Sequence, residues 1–122
     1  MKFTTIYTDL QGETHFGVRD VPVREAAVGP PPNPVGQMAD LGAVTTMFAF
    51  SVPGGTDVPA HNAPLPYICI VLSGELEVIA SDGEARRFSA GDLLFCDDLD
   101  GKGHATRAIT NTVAAFVNRA NA

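Results

Sequence analysis

The sequence predicts an all-β domain, a barrel or a two-sheet sandwich. Three observations lead there: short runs rich in β-branched and aromatic residues, turn signals between them, and no stretch where apolar residues recur at helical spacing for three turns. The runs cover residues 3–7, 16–23, 43–52, 67–72, 75–80, 93–96 and 112–117. Pro53-Gly54-Gly55, Ser73-Gly74, Asp82-Gly83, Ser89-Ala90-Gly91-Asp92 and Gly101-Lys102-Gly103 punctuate them. Asp82-Gly83 between two runs predicts a hairpin with a type I′ turn, which needs positive φ at both central positions. Residues 67–96 therefore read as a meander, and so many short strands fit a barrel or sandwich that hides its sheet edges. One segment breaks the rhythm. The four prolines of Gly29-Pro30-Pro31-Pro32-Asn33-Pro34 cannot donate to a ladder, which predicts an extended loop or edge. It is expected to cross the barrel surface as a stiff connector, or to act as an arm against a second subunit or at a pocket rim. One domain is expected, with N-terminal strands and the Pro-rich arm in 1–42 and the barrel core in 43–118.

At 122 residues, 45% hydrophobic and 18% charged, the chain has enough apolar material for one core. Its net charge of −6 and pI near 4.8 set it against phosphate backbones and anionic lipid, so neither nucleic acid nor membrane is expected as a partner. The longest apolar run, residues 67–72, is too short to span a bilayer, and the first residues lack the apolar stretch of a signal peptide. A cytoplasmic protein is the expectation. Cys69 and Cys96 read as small buried hydrophobes, with a disulfide between them the alternative that spacing leaves open, and without a CxxC motif or Cys/His cluster a structural zinc site is not expected.

Chemistry concentrates in two turn-rich places. His61 follows Pro53-Gly54-Gly55-Thr56-Asp57-Val58-Pro59-Ala60, and His104 ends Asp97-Asp98-Leu99-Asp100-Gly101-Lys102-Gly103. By composition alone the latter is a solvated acidic loop. Its two glycines permit a tight path that turns His104 toward the barrel interior.

These residues carry a resemblance. Gly55, five residues, His61 and then twelve residues to Gly74 resemble the first motif of the cupins. Gly83, five residues, and Ser89-Ala90-Gly91-Asp92 resemble the second, with serine where proline is usual. Residues 91–107 look like a subgroup of small single-domain cupins with a Glu/Asp-Asp-x-x-Gly-Lys-Gly-His signature and a His-x-Ala-Pro element, here His61-Asn62-Ala63-Pro64. The resemblance implies a barrel of two antiparallel sheets, jelly-roll-like, commonly a homodimer, with a small-molecule pocket in its mouth. The family's metal site is mostly gone: His61 remains, while Ala63, Tyr67 and Leu94 stand at the other ligand positions.

Three functions are carried forward. In the first, His61 and His104 exchange protons near neutrality, Asp98 (or Asp97) fixes one imidazole, Tyr67 hydrogen-bonds substrate, and Lys102 or Arg107 neutralises a carboxylate or enolate. That chemistry is non-oxidative: isomerisation, dehydration or cyclisation of a carbonyl-containing or aromatic small molecule. In the second, His61, His104 and Asp98 hold a divalent metal (Fe, Mn, Ni or Zn), as in an Fe or Mn dioxygenase. The third is a pocket that binds a small molecule without turning it over. Purely structural readings stand beside these: Lys102 solvated, Arg107 bridged to Asp98 or Asp100, and Tyr67 a core aromatic. His15 reads as a surface or interface residue, and Arg86-Arg87, Asp9 and Glu13 as solvated faces. A homodimer is the expected assembly.

Overall fold

The computed structural model describes residues 1–120. Twelve strands account for the regular structure: β1 (Lys2–Thr8), β2 (Thr14–Asp20), β3 (Val23–Ala27), β4 (Val35–Ala39), β5 (Val44–Val52), β6 (Asp57–His61), β7 (Tyr67–Ser73), β8 (Glu75–Ala80), β9 (Ala85–Ser89), β10 (Leu93–Cys96), β11 (His104–Ala108) and β12 (Thr112–Arg119). A six-stranded sheet runs β2-β1-β10-β7-β12-β5, a four-stranded sheet runs β6-β11-β8-β9, and β3 and β4 pair only with each other. All pairings are antiparallel except β1 with β10. Among the described residues no helix is long and apolar enough to cross a membrane.

The pleat decides which side chains meet. Successive residues of a strand point to opposite faces, and the register of β12 aligns Ala114 with Val71 and Phe116 with Cys69. These join Ile6, Leu94 and Cys96 from the same sheet and Leu76, Val78 and Ala80 from the other in one core between the two sheets. The reverse face of the larger sheet is apolar too, with Ile68, Phe95 and Val117 packed against Phe3, Ile70 and Leu93. Burial at about 1.5–3 kcal/mol per large side chain makes the inner cluster the main source of stability.

Three sequence expectations are corrected. The Pro-rich segment is not an extended connector but the turn of the β3–β4 hairpin, closed by Val28 N–H to Pro34 O (3.0 Å) and Asn33 N–H to Pro30 O (3.0 Å); prolines are tolerated there because the ladder stops before them. Residues 16–23 are not one strand: Val21-Pro22 separates β2 from β3, since Pro22 has no N–H to extend a ladder. The hairpin at Asp82-Gly83 exists, but only Gly83 has positive φ (94°). Its N–H donates to Ala80 O at 3.0 Å, the pattern of a three-residue loop rather than a type I′ turn.

Candidate functional site

His61 closes β6, the edge of the smaller sheet, and His104 opens β11 beside it; the two are register partners. Their ring centroids lie 5.4 Å apart. The edge position leaves His61 exposed, whereas His104 is 3% exposed. His61 Nδ1 donates to Pro59 O at 3.0 Å. His104 Nδ1 donates to Asp98 Oδ2 at 2.5 Å, and Tyr67 OH lies 3.4 Å from its Nε2. Because a carbonyl and a carboxylate can only accept, both neutral rings carry their proton on Nδ1 and present Nε2 as acceptor.

The glycine loop makes this possible. Gly103 has φ +70°, and a Cβ there would collide with the His61 carbonyl; Gly101 has φ +73°, and a Cβ would collide with the Gly12 carbonyl. Glycine therefore lets the loop press against β6 and the β1–β2 turn while β11 points its first side chain inward. Asn62 Nδ2 donates to Gly101 O at 2.9 Å, and Ala63 N–H donates to Asp98 O at 3.0 Å, tying the chain after His61 to the loop before His104.

Asp98 is fully buried, and its Oδ1 has no hydrogen-bond partner among the described residues. One oxygen of a buried carboxylate thus serves a single imidazole, an arrangement that stabilises an imidazolium formed by proton abstraction. Tyr67 faces the same interior. Burial holds its phenol well above the usual range, with neighbouring Cys96 adding to the effect, so it stays an O–H donor. Burial likewise pushes the Cys69 thiol up to about 12 and the Cys96 thiol upward, which leaves both free cysteines unreactive.

From Tyr67 an unbroken run of ring contacts leads outward. Tyr67 meets Phe116 at 5.4 Å, Phe116 meets Phe48 at 5.6 Å and Phe50 at 5.4 Å, and Phe48 meets Phe50 at 5.4 Å. Phe48 and Phe50 remain 45% and 54% exposed on β5, the edge of the larger sheet. An aromatic floor thus extends from solvent to the His61–His104 pair. Sequence reading missed it, although Phe48-x-Phe50 in a predicted strand already puts both rings on one face.

The remaining candidates are not brought to the pair. Asp97 points to the other side of the larger sheet, where it accepts from Thr5 Oγ1 (2.8 Å), Arg19 Nη1 (3.0 Å) and Arg119 Nη2. Both guanidiniums lie over the Phe95 ring, at 4.8 and 5.1 Å. Lys102 pairs with Glu13 at 2.9 Å, and Arg107 pairs with Asp57 at 3.4 Å rather than with Asp98 or Asp100. Both side chains are exposed, because at these positions the loop and the pleat of β11 turn them outward. Asp9 and Glu13 are not simply solvated: Asp9 pairs with His15 and Glu13 accepts from Ser81. Two cavities, of about 380 and 410 Å³, are lined instead by Arg19, Phe95 and Arg119 and by Met1, Phe3 and the β3–β4 hairpin, and neither includes a site histidine.

The donors do not fit a resident metal ion. Asp98 stands behind His104, on Nδ1, so it orients that ring instead of sharing a cation with it. That leaves two imidazole Nε2 atoms, short of the three or four ligands such a site takes. Among the described residues no group of three or more His, Cys, Asp or Glu side chains is placed to hold one.

No protein-family model matches the chain, and no curated protein does. Several solved structures are similar to it, two of them as follows. A cupin 2 conserved barrel domain protein from Salinispora arenicola CNS-205 has TM-score 0.50 and 24% identity over 83% of this chain and 79% of that one. A conserved protein of unknown function from Streptococcus pyogenes has TM-score 0.50 and 25% identity over 62% of this chain and 65% of that one. With its two facing sheets, antiparallel apart from the β1–β10 pair, the chain has the cupin fold.

Proposed function

We propose that this protein performs non-oxidative acid/base chemistry on an apolar, carbonyl-bearing small molecule held between the β5 and β6 edges. The observation that supports this reading is the Asp98–His104–Tyr67 line, with His61 beside it, opening onto the aromatic floor of Phe116, Phe48 and Phe50. His104 Nε2 takes a proton from the carbon next to the substrate carbonyl, and the Asp98 carboxylate stabilises the resulting imidazolium. His61, exposed, takes a second proton from water on Nε2, gives it to the carbonyl oxygen to form the enol, and takes it back when the carbonyl reforms. Return of a proton to another carbon or face completes an isomerisation; loss of a leaving group instead gives an elimination. The Tyr67 hydroxyl donates a hydrogen bond to the substrate or the ring. A flat aromatic or aliphatic body suits the floor, where ring contacts contribute about 0.5–1.5 kcal/mol each. The apolar reverse face of the larger sheet, with Met47 and Leu72 exposed, supports a homodimer.

Exchange of the α-protons of a panel of small aryl ketones in D₂O, followed by proton NMR, tests this. The expected result is exchange above the buffer rate that falls about 10²–10⁴-fold in His104→Ala. Tight binding across the panel with no exchange would make the protein a binding module. Near-stoichiometric iron or manganese in protein purified without added metal, together with turnover lost to chelators, would restore the metal-dependent reading.

A further inference from the structure

His15 on β2 stands where the β1–β2 turn meets the β8–β9 turn, and both of its ring nitrogens are taken by carboxylates. Nε2 lies 2.7 Å from Asp9 Oδ2 and Nδ1 lies 2.8 Å from Asp82 Oδ2. Ionised carboxylates accept and never donate, and a neutral imidazole has one N–H; only the imidazolium can serve both. The other groups around it are few. Tyr7 of β1 packs its ring at 5.8 Å. Glu13, from the same turn as Asp9, accepts from Ser81 Oγ at 2.7 Å and pairs with Lys102. Arg86 of β9 adds a positive charge near Asp82.

The turn that His15 clamps is also the turn that grips the loop leading to His104. Lys102 N–H donates to Gly12 O at 2.9 Å, and Lys102 Nζ lies 2.9 Å from Glu13 Oε2. Thr14 Oγ1 donates to Gly103 O at 2.8 Å, and Thr8 Oγ1 donates to Asp100 O at 2.9 Å. Every one of these bonds ends on the short span between Asp98 and His104. We infer that the Asp9–His15–Asp82 clamp is a proton-dependent buttress of this loop: the His15 imidazolium draws the two turns together and holds residues 100–103, and loss of its proton leaves one of the two Oδ2 atoms without its imidazole donor and loosens the span, while the Oδ1 atoms keep their backbone donors within each turn.

The hydrogen bond from Asp9, then that from Asp82, raises the His15 pKa above its ordinary 6.5. A folded-state pKa raised above the unfolded value means that the clamp is fully formed below about pH 6.5 and is lost as pH climbs through the folded value. On the acid side, Asp9 is lowered chiefly by His15, and Asp82 by the Glu84 N–H and then by His15. The clamp therefore persists until pH falls through those depressed carboxylate values.

The inference stands whether or not the His104 site turns over a substrate, and its test needs none. Imidazole nitrogen–proton correlation spectra of the full chain, recorded from about pH 5 to about pH 9, follow each histidine separately. His15→Gln and His61→Gln spectra assign them. His15 is expected to titrate above the ordinary imidazole value, and the amides of Gly101, Lys102 and Gly103 to shift with the same midpoint. In Asp82→Asn the two midpoints should move down together. In Lys102→Met the His15 midpoint should stay while the loop amides lose most of their response. A His15 midpoint at the ordinary value, or loop amides that ignore it in the wild-type chain, overturns the buttress. The wild-type titration decides even where a variant does not fold.

Discussion

Asp97 and Asp98 are consecutive residues with opposite fates. Both follow β10, both carry a carboxylate, and the pleat sends them to opposite sides of the larger sheet. Asp97 receives donors from Thr5, Arg19 and Arg119, two of them cations that match its charge. Asp98, fully buried, has one imidazole and, among the described residues, one oxygen without a partner. A saturated carboxylate holds strands together; one with a single donor is free to respond when that donor changes its charge. On the proposed reading, the difference separates a structural role for Asp97 from a chemical one for Asp98.

Removing each side chain should break the comparison in a different place. Asp97→Ala takes away the carboxylate against which the buried Arg119 guanidinium rests. Breaking such a pair from one side costs about 3–5 kcal/mol, so urea unfolding should show a loss of that order. A loss under about 1 kcal/mol would mean that water screens the cluster as it does a surface pair. Asp98→Asn should act on turnover instead. An amide cannot stabilise an imidazolium as a carboxylate does, and α-proton exchange should drop about 10²–10⁴-fold. Its unfolding free energy should fall by less than that of Asp97→Ala. Equal stability losses with unchanged exchange would make both aspartates structural.

Much of this was legible beforehand, and the omissions share a cause. Strands with an apolar face, such as Tyr67–Ser73 and Leu93–Cys96, announce themselves through the run of side chains they bury. β6 does not: Asp57-Val58-Pro59-Ala60-His61 is exposed throughout and contains a proline, so its sequence looks like a loop. β9, with two adjacent arginines, is hidden by the same polar exposure. The inward turn of His104 was readable from the glycines that flank Lys102, because they permit a tight path; its meeting with His61 rested on the resemblance to the cupins. The destinations of Asp97, Lys102 and Arg107 were not. Which side of a strand a residue faces depends on register, and a single position of slip exchanges the two faces. Arg119, two residues beyond the predicted end of the last run, gave no signal until β12 placed it beside Asp97.

The aromatic floor sharpens the comparison at its smallest scale, because Phe50 is half structural and half not. Its ring meets Phe48 and Phe116 at 5.4 Å, yet it remains 54% exposed. Full burial of such a side chain is worth about 1.5–3 kcal/mol, so Phe50→Ser should lower unfolding free energy by only about 1 kcal/mol. If the floor receives the substrate body, a bound aryl ketone loses one ring contact, and its Kd should rise by up to about tenfold. Met47 lies on the opposite face of the same strand, 66% exposed, with its register partner Val117 on the reverse side of the sheet. Met47→Ser should therefore leave Kd unchanged. A Kd that responds equally to both substitutions would place the ligand outside the space between the sheets, whereas one that responds only to Phe50 ties binding to the face that also carries His104.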